Sequence, residues 1–197
     1  MTTYTWDTTI YPTATTLAWL DNSARFQSAL SGATRTVNRP GGRWRMTMSF
    51  QTRKPAEAQK IEAFLWRLDG ATHRAQLIDF SYERQGTGSG TPLVKGASQT
   101  GYSLITDGWS NSQTVLKAGD RFTVNNQLLL VATDATSDGS GNCTITLAHP
   151  LRSAPADNAP LTVTNPYGIF YLVEQVETAA QPGIFKSIDA VFEEEVA

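Results

Sequence analysis

Eight residues, RWRMTMSF from Arg43, place the tightest constraint on what this chain can fold into. Trp44, Met46, Met48 and Phe50 fall on one side and Arg43, Arg45, Thr47 and Ser49 on the other. A repeat of two is the period of a pleated strand, so the segment is expected to bury its apolar face and leave the other to water. The RPGG before it, at 39–42, supplies a turn.

The pattern then changes period. Thr52 or Lys54 can open a helix with Pro55 in its first turn, and Ile61, Phe64, Leu65 and Leu68 follow at spacings of three and four until Gly70 ends it. This is the one convincing helix; Trp66 sits off the centre of its apolar stripe. HRAQLIDFSY (73–82) reads as a strand with Leu77 and Ile78 suited to a core, and RFQSALSGATRTVN as a strand-and-turn unit.

A second set of short strands is expected after Gly86. QGTGSGTP (85–92) reads as a flexible polar stretch, and 93–165 as short β segments between Gly, Asp, Asn and Pro turns. Two apolar runs, KAGDRFTV and QLLLVATD, flank Asn125-Asn126 and read as a hairpin. In CTITLAHP, Cys143, Ile145 and Leu147 alternate with Thr144, Thr146 and Ala148. The last section offers a strand from Phe170 to Val176, a turn at Pro182 and Gly183, and a strand from Phe185 to Phe192. Together these predict a mainly β protein with one short α-helix. The first domain, 1–85 with 166–197, is expected to be interrupted by a β module at 86–165; the alternative is a plain tandem of two domains.

Charge is graded along the chain: the balance is +4 over 1–80, −1 over 81–165 and −5 over 166–197. Two readings stand: the acidic end pairs with the basic start inside one domain, or the complementarity lies between neighbouring copies. Under the second, Arg43 and Arg45 on one side and Glu193, Glu194 and Glu195 on the other are candidate inter-subunit charges. A net charge of −2 does not favour a nucleic-acid partner. The first residues lack the basic and apolar regions of a signal peptide, and no apolar run nears the roughly 20 residues that span a bilayer. A soluble chain made in the cytoplasm, without membrane insertion, is expected.

Reaction chemistry finds no local constellation. His73 and His149 belong to no metal-ligand spacing, one cysteine excludes an internal disulfide, and GTGSG lacks the strand-before, helix-after setting of a dinucleotide loop. Asp134, Asp138 and Asn142 do not follow the calcium-loop pattern. A hydrolase would need paired carboxylates at a cleft. The expectation is a non-enzyme without catalytic residues, metal or cofactor. The best small-molecule candidate is TGYSLITDGWSNSQ (100–113), where Tyr102 and Trp109 could stack on a sugar ring while Asp107 and Asn111 hydrogen-bond it. The competing reading is that Trp109 covers the edge of its own module.

The turn into an alternating tryptophan strand (RPGGRWRMTMSF), the Pro-started amphipathic helix ending in DG (KPAEAQKIEAFLWRLDG) and the following strand resemble the core of siphophage tail-tip proteins, above all the distal tail protein of the baseplate hub. SGTPLVKGASQTGYSLITDGW and LKAGDRFTVNNQLLLVATDATSDGSGNCTITLAHPLR are similar to a module common in such proteins, so the resemblance covers most of 40–165. It implies a β-sandwich or split-barrel ring domain carrying a peripheral small β-barrel or sandwich, OB-like in kind. It further implies a homo-oligomeric ring, a hexamer, in the virion tail tip, between the tail tube protein and the tail-tip hub protein. The alternative is a carbohydrate- or receptor-binding module that recognises a host surface glycan.

Overall fold

A computed structural model describes residues 1–174, 176, 178–181 and 185–196; the turn expected at Pro182 and Gly183 lies outside the described residues. The protein is mainly β, with one helix among the described residues. The alternating segment becomes β5 (Arg43–Arg53), the longest strand, with Trp44, Met46, Met48 and Phe50 all buried. Each such side chain contributes about 1.5–3 kcal/mol by leaving water.

The main sheet draws on both ends of the chain. Numbering strands in chain order, its N-terminal members are β1 (Thr3–Thr5), β2 (Ala14–Leu20), β5 and β6 (Arg74–Ile78). Its C-terminal members are β14 (Tyr167–Leu172), β15 (Thr178–Gln181) and β16 (Phe185–Glu194). The hydrogen-bonded order is β1-β6-β14-β16-β5-β2, with β15 pairing β16. The last long strand therefore lies mid-sheet, with Ala190 opposite Met48 and Phe192 opposite Met46.

The helix, α1 (Pro55–Arg67), starts as its sequence predicts, with Pro55 where a missing N–H costs nothing. It buries Ala58, Ile61 and Leu65, and Leu68 just beyond its end, against the sheet. Trp6 closes this core from the N-terminal side, stacked on Phe50 at 5.3 Å and edge-on to Phe64 at 4.8 Å. In β6 it is Ala75 and Leu77 that reach the core; Ile78 points to the other face and is half-buried, because neighbours on a strand alternate.

Between β6 and β14 the chain forms β7 (Gly90–Val94), β8 (Gly101–Trp109), β9 (Thr114–Leu116), β10 (Arg121–Val124), β11 (Gln127–Leu130), β12 (Ala135–Thr136) and β13 (Cys143–Leu151). They surround a second buried cluster that includes Val94, Leu104, Trp109, Phe122, Cys143, Ile145 and Leu147. The hairpin at Asn125-Asn126 has φ of 48° and 61°, the positive values that a two-residue turn with the twist of its strands demands. Of the partial barrel or sandwich expected here, no closed barrel forms among the described residues. β13-β8-β7 form one three-stranded sheet, while β10-β11 and β12-β9 remain two-stranded and join by single bridges such as Thr123↔Thr162 and Val131↔Leu147. Turn residues cut these strands to a few residues each, too few for a continuous ladder.

The glycine-rich stretch expected to be flexible is packed. A Cβ on Gly86 would stand 2.3 Å from the Val115 carbonyl oxygen, and one on Gly88 would stand 2.5 Å from Val115 Cα. Glycine is required here for close approach of two backbones. Buried Asp120 fixes the same stretch: it accepts from the amides of Gln85, Gly86 and Lys117, each at 2.8 Å, and from the Tyr82 hydroxyl at 3.2 Å.

The strand-and-turn unit near the N-terminus is a separate hairpin, β3 (Ala24–Gln27) and β4 (Thr34–Val37), which pairs only with itself among the described residues. Every residue from 25 to 40 is exposed, including Phe26 at 57% and Leu30 at 101% of full accessibility.

Candidate functional site

The two buried clusters meet where β5, β11, β13 and β16 approach one another. Trp44 donates its indole N–H to the Leu128 carbonyl at 2.9 Å, and Leu128 itself is buried in the core beneath the main sheet. Glu194 sits at the centre, fully buried. Its carboxylate accepts from the amides of Leu128 at 3.0 Å and Trp44 at 3.3 Å and pairs with the Arg152 guanidinium. Burial pushes the Glu194 carboxyl up to about 7, against the opposing pull of Arg152 and the two amides. Arg121, 6.0 Å from the centre of the Trp44 ring, pairs with buried Asp79, and burial lowers the Arg121 pKa.

These contacts decide the fate of the candidate inter-subunit charges. Arg43 pairs with Glu193 at 2.6 Å, and the Tyr171 hydroxyl donates to the same carboxylate at 3.0 Å. Arg45 pairs with Glu174, and Glu195 with Arg74, both at 2.9 Å. Glu194 is inaccessible to any second chain, and its two neighbours have partners within their own. The acidic end pairs with the basic start inside the sheet, the reading that complementarity between copies had competed with. The physical cause is register: Glu193 lies opposite Arg45 across the β5-β16 ladder, which brings it beside Arg43.

The glycan candidates are not brought together. Trp109 is 4% exposed, enclosed in the second core with its indole donating to Thr106 Oγ1 at 2.8 Å, and a buried ring offers no face to a sugar. Tyr102 is 51% exposed, Asp107 is half-buried and Asn111 exposed. Tyr102 and Asp107 are five positions apart on β8, an odd spacing that sends them to opposite faces. Asp138 in the Asp/Asn/Gly loop is committed to its own turn: it accepts from the Asn142 side-chain amide at 2.9 Å and from the backbone amides of Asn142 at 2.9 Å and Ser140 at 2.7 Å, and these bonds, the Asn142 side chain's first, lower its pKa. Among the described residues, no group of His, Cys, Asp and Glu could hold a metal ion. No described helix is long and apolar enough to cross a membrane.

Tyr102 instead lines a cleft of about 560 Å³ between the β2 end of the main sheet and the β13 end of the middle strands. Trp19 and His149 form its floor, stacked at 3.6 Å with planes 8° apart, and Trp44 meets His149 edge-on at 5.4 Å. Burial first, and the nearby Arg152 charge second, lower the His149 pKa. Sequence reasoning found His149 neither a metal ligand nor within reach of Cys143, and it passed over Trp19 and Arg152. Nothing local links Trp19 to His149; the fold alone stacks them.

No protein-family model matches the chain, and no curated protein matches it.

Proposed function

We propose that this chain is a non-enzymatic structural protein of a siphophage tail tip, assembling with copies of itself into a ring, a hexamer by the resemblance, between the tail tube and the tail-tip hub. In this reading 1–85 with 166–197 form the ring domain and 86–165 an inserted peripheral module. The observation that carries it is the β3-β4 arm. A lone two-stranded hairpin is at best marginally stable in water. This one holds Phe26, Leu30 and Val37 exposed, which a covering surface on another molecule would stabilise.

Charge favours a second copy as that surface. Residues 22–41 contain Arg25, Arg35 and Arg39 and no acidic residue, so the rest of the chain, with 13 basic against 18 acidic residues, carries −5. A basic arm on an acidic body is complementary between copies, and one patch meeting a different patch is the geometry that closes rings.

Sedimentation of the purified chain tests this. The native protein is expected to form a closed oligomer at high concentration or with its tail partners, and Phe26→Ser with Leu30→Ser to reduce it to monomer at unchanged thermal stability. A native chain that stays monomeric at high concentration and joins no tail component overturns the reading.

A further inference from the structure

The cleft holding Tyr102 combines features that the contacts within the chain leave unused. Its volume of about 560 Å³ suits a small ligand, for which pockets of about 300–1,000 Å³ are usual. One wall carries the half-exposed Tyr102 ring, and the floor is the Trp19–His149 stack. Asn38 and Arg39 stand exposed at the rim. Arg152 also lines the cleft, its side chain 5% exposed; one nitrogen pairs with Glu194, while Nε and Nη1 have no hydrogen-bond partner. A buried donor without an acceptor costs about 1–3 kcal/mol, so a ligand oxygen delivered here would be favoured.

The chemistry narrows the ligand. A wholly apolar molecule would leave the Arg152 donors unmet. A phosphate-bearing one would call for surplus positive charge, whereas Glu194 already neutralises Arg152 and Asp21 stands in the same cleft as Arg39. A pyranose answers both demands, with C–H groups on one face for an aromatic ring and hydroxyls at its edge for Arg and amide groups. We propose that this cleft binds a saccharide, with Tyr102 and His149 as its stacking surfaces and Asn38, Arg39 and Arg152 as its hydrogen-bond partners. This differs from a site centred on Trp109.

The test applies the full-length chain to an array of neutral and uronic-acid-containing oligosaccharides at equal density, then titrates the best ligand by calorimetry. A neutral saccharide is expected to bind. Tyr102→Ala should weaken it about tenfold, or ~1.4 kcal/mol, while Tyr102→Phe keeps most of the affinity. Tyr102 is half exposed, so both variants should melt with the native protein, separating lost binding from lost fold. Retention of neither class on the array overturns the proposal, as does binding confined to uronic acids or an affinity that Tyr102→Ala leaves unchanged.

Discussion

Replacing Glu194 by Ala would remove the acceptor that three segments share. The Leu128 amide at 3.0 Å and the Trp44 amide at 3.3 Å lose their partner, and Arg152 is left as a buried, unpaired cation. Removing one member of a buried ion pair costs about 3–5 kcal/mol, because the remaining charge is uncompensated. In a domain of this size about 1 kcal/mol moves Tm by ~2–4 °C, so Glu194→Ala should lower it by about 6–20 °C. Urea unfolding followed by tryptophan fluorescence measures the loss directly, since Trp44 is one of the groups released. A Glu194→Ala protein within about 1 kcal/mol of native would refute the assignment of Glu194 as the joint between sheet and middle strands. Glu194→Gln with Arg152→Met, which removes both charges, should recover much of the loss. The pH dependence has a definite sign. With its pKa raised from 4.5 to about 7, Glu194 contributes stability that is fully present below 4.5 and lost as pH rises through about 7. His149, with a lowered pKa, acts oppositely: its contribution is fully present above 6.5 and is lost as pH falls from there through the lower folded value. His149 is common to native and Glu194→Gln proteins, so the difference between their stability curves should fall from pH 4.5 to 7.

Gly88→Ala should destabilise by about 1–3 kcal/mol, since its Cβ would collide with Val115. A freely moving linker would instead gain about 0.4–1 kcal/mol from the same change, so chemical denaturation separates packed from flexible. Trp109→Ala should cost about 3–5 kcal/mol by emptying the second core, which would show in thermal unfolding without any ligand.

What was legible in the sequence was whatever the chain encodes locally. The alternation in RWRMTMSF, Pro55 at the start of the helix and the Asn-Asn turn each carry their geometry in neighbouring residues, and each stands where expected. Glycine at 86 and 88 was misread because composition cannot distinguish a glycine chosen for freedom from one chosen for close contact. The acidic triad left two readings open because composition does not say where a charge points: strand alternation and a central place in the sheet send Glu194 inward and Glu193 to the other side, where each finds a partner in its own chain. The cleft was invisible because its floor joins Trp19 to His149 and its wall comes from Tyr102, positions that only the tertiary fold brings together.

The central position of β16 bears on how the chain reaches this structure. While β16 is absent, β5 can pair with β2, but its other edge, opposite Ala190 and Phe192, presents open amides and carbonyls until residues about 140 positions later arrive. Contacts at that separation are slow to form, and an unpaired edge in the interval invites pairing with a second molecule. The middle strands shorten the search. Ile78 lies opposite Tyr167, so once 79–166 have collapsed around their own core the two ends stand one strand spacing apart, and β14 is delivered beside β6. The rate of refolding should therefore be set by how fast the middle strands collapse, and substitutions that slow that step should raise the yield of aggregates even where the final stability is unchanged.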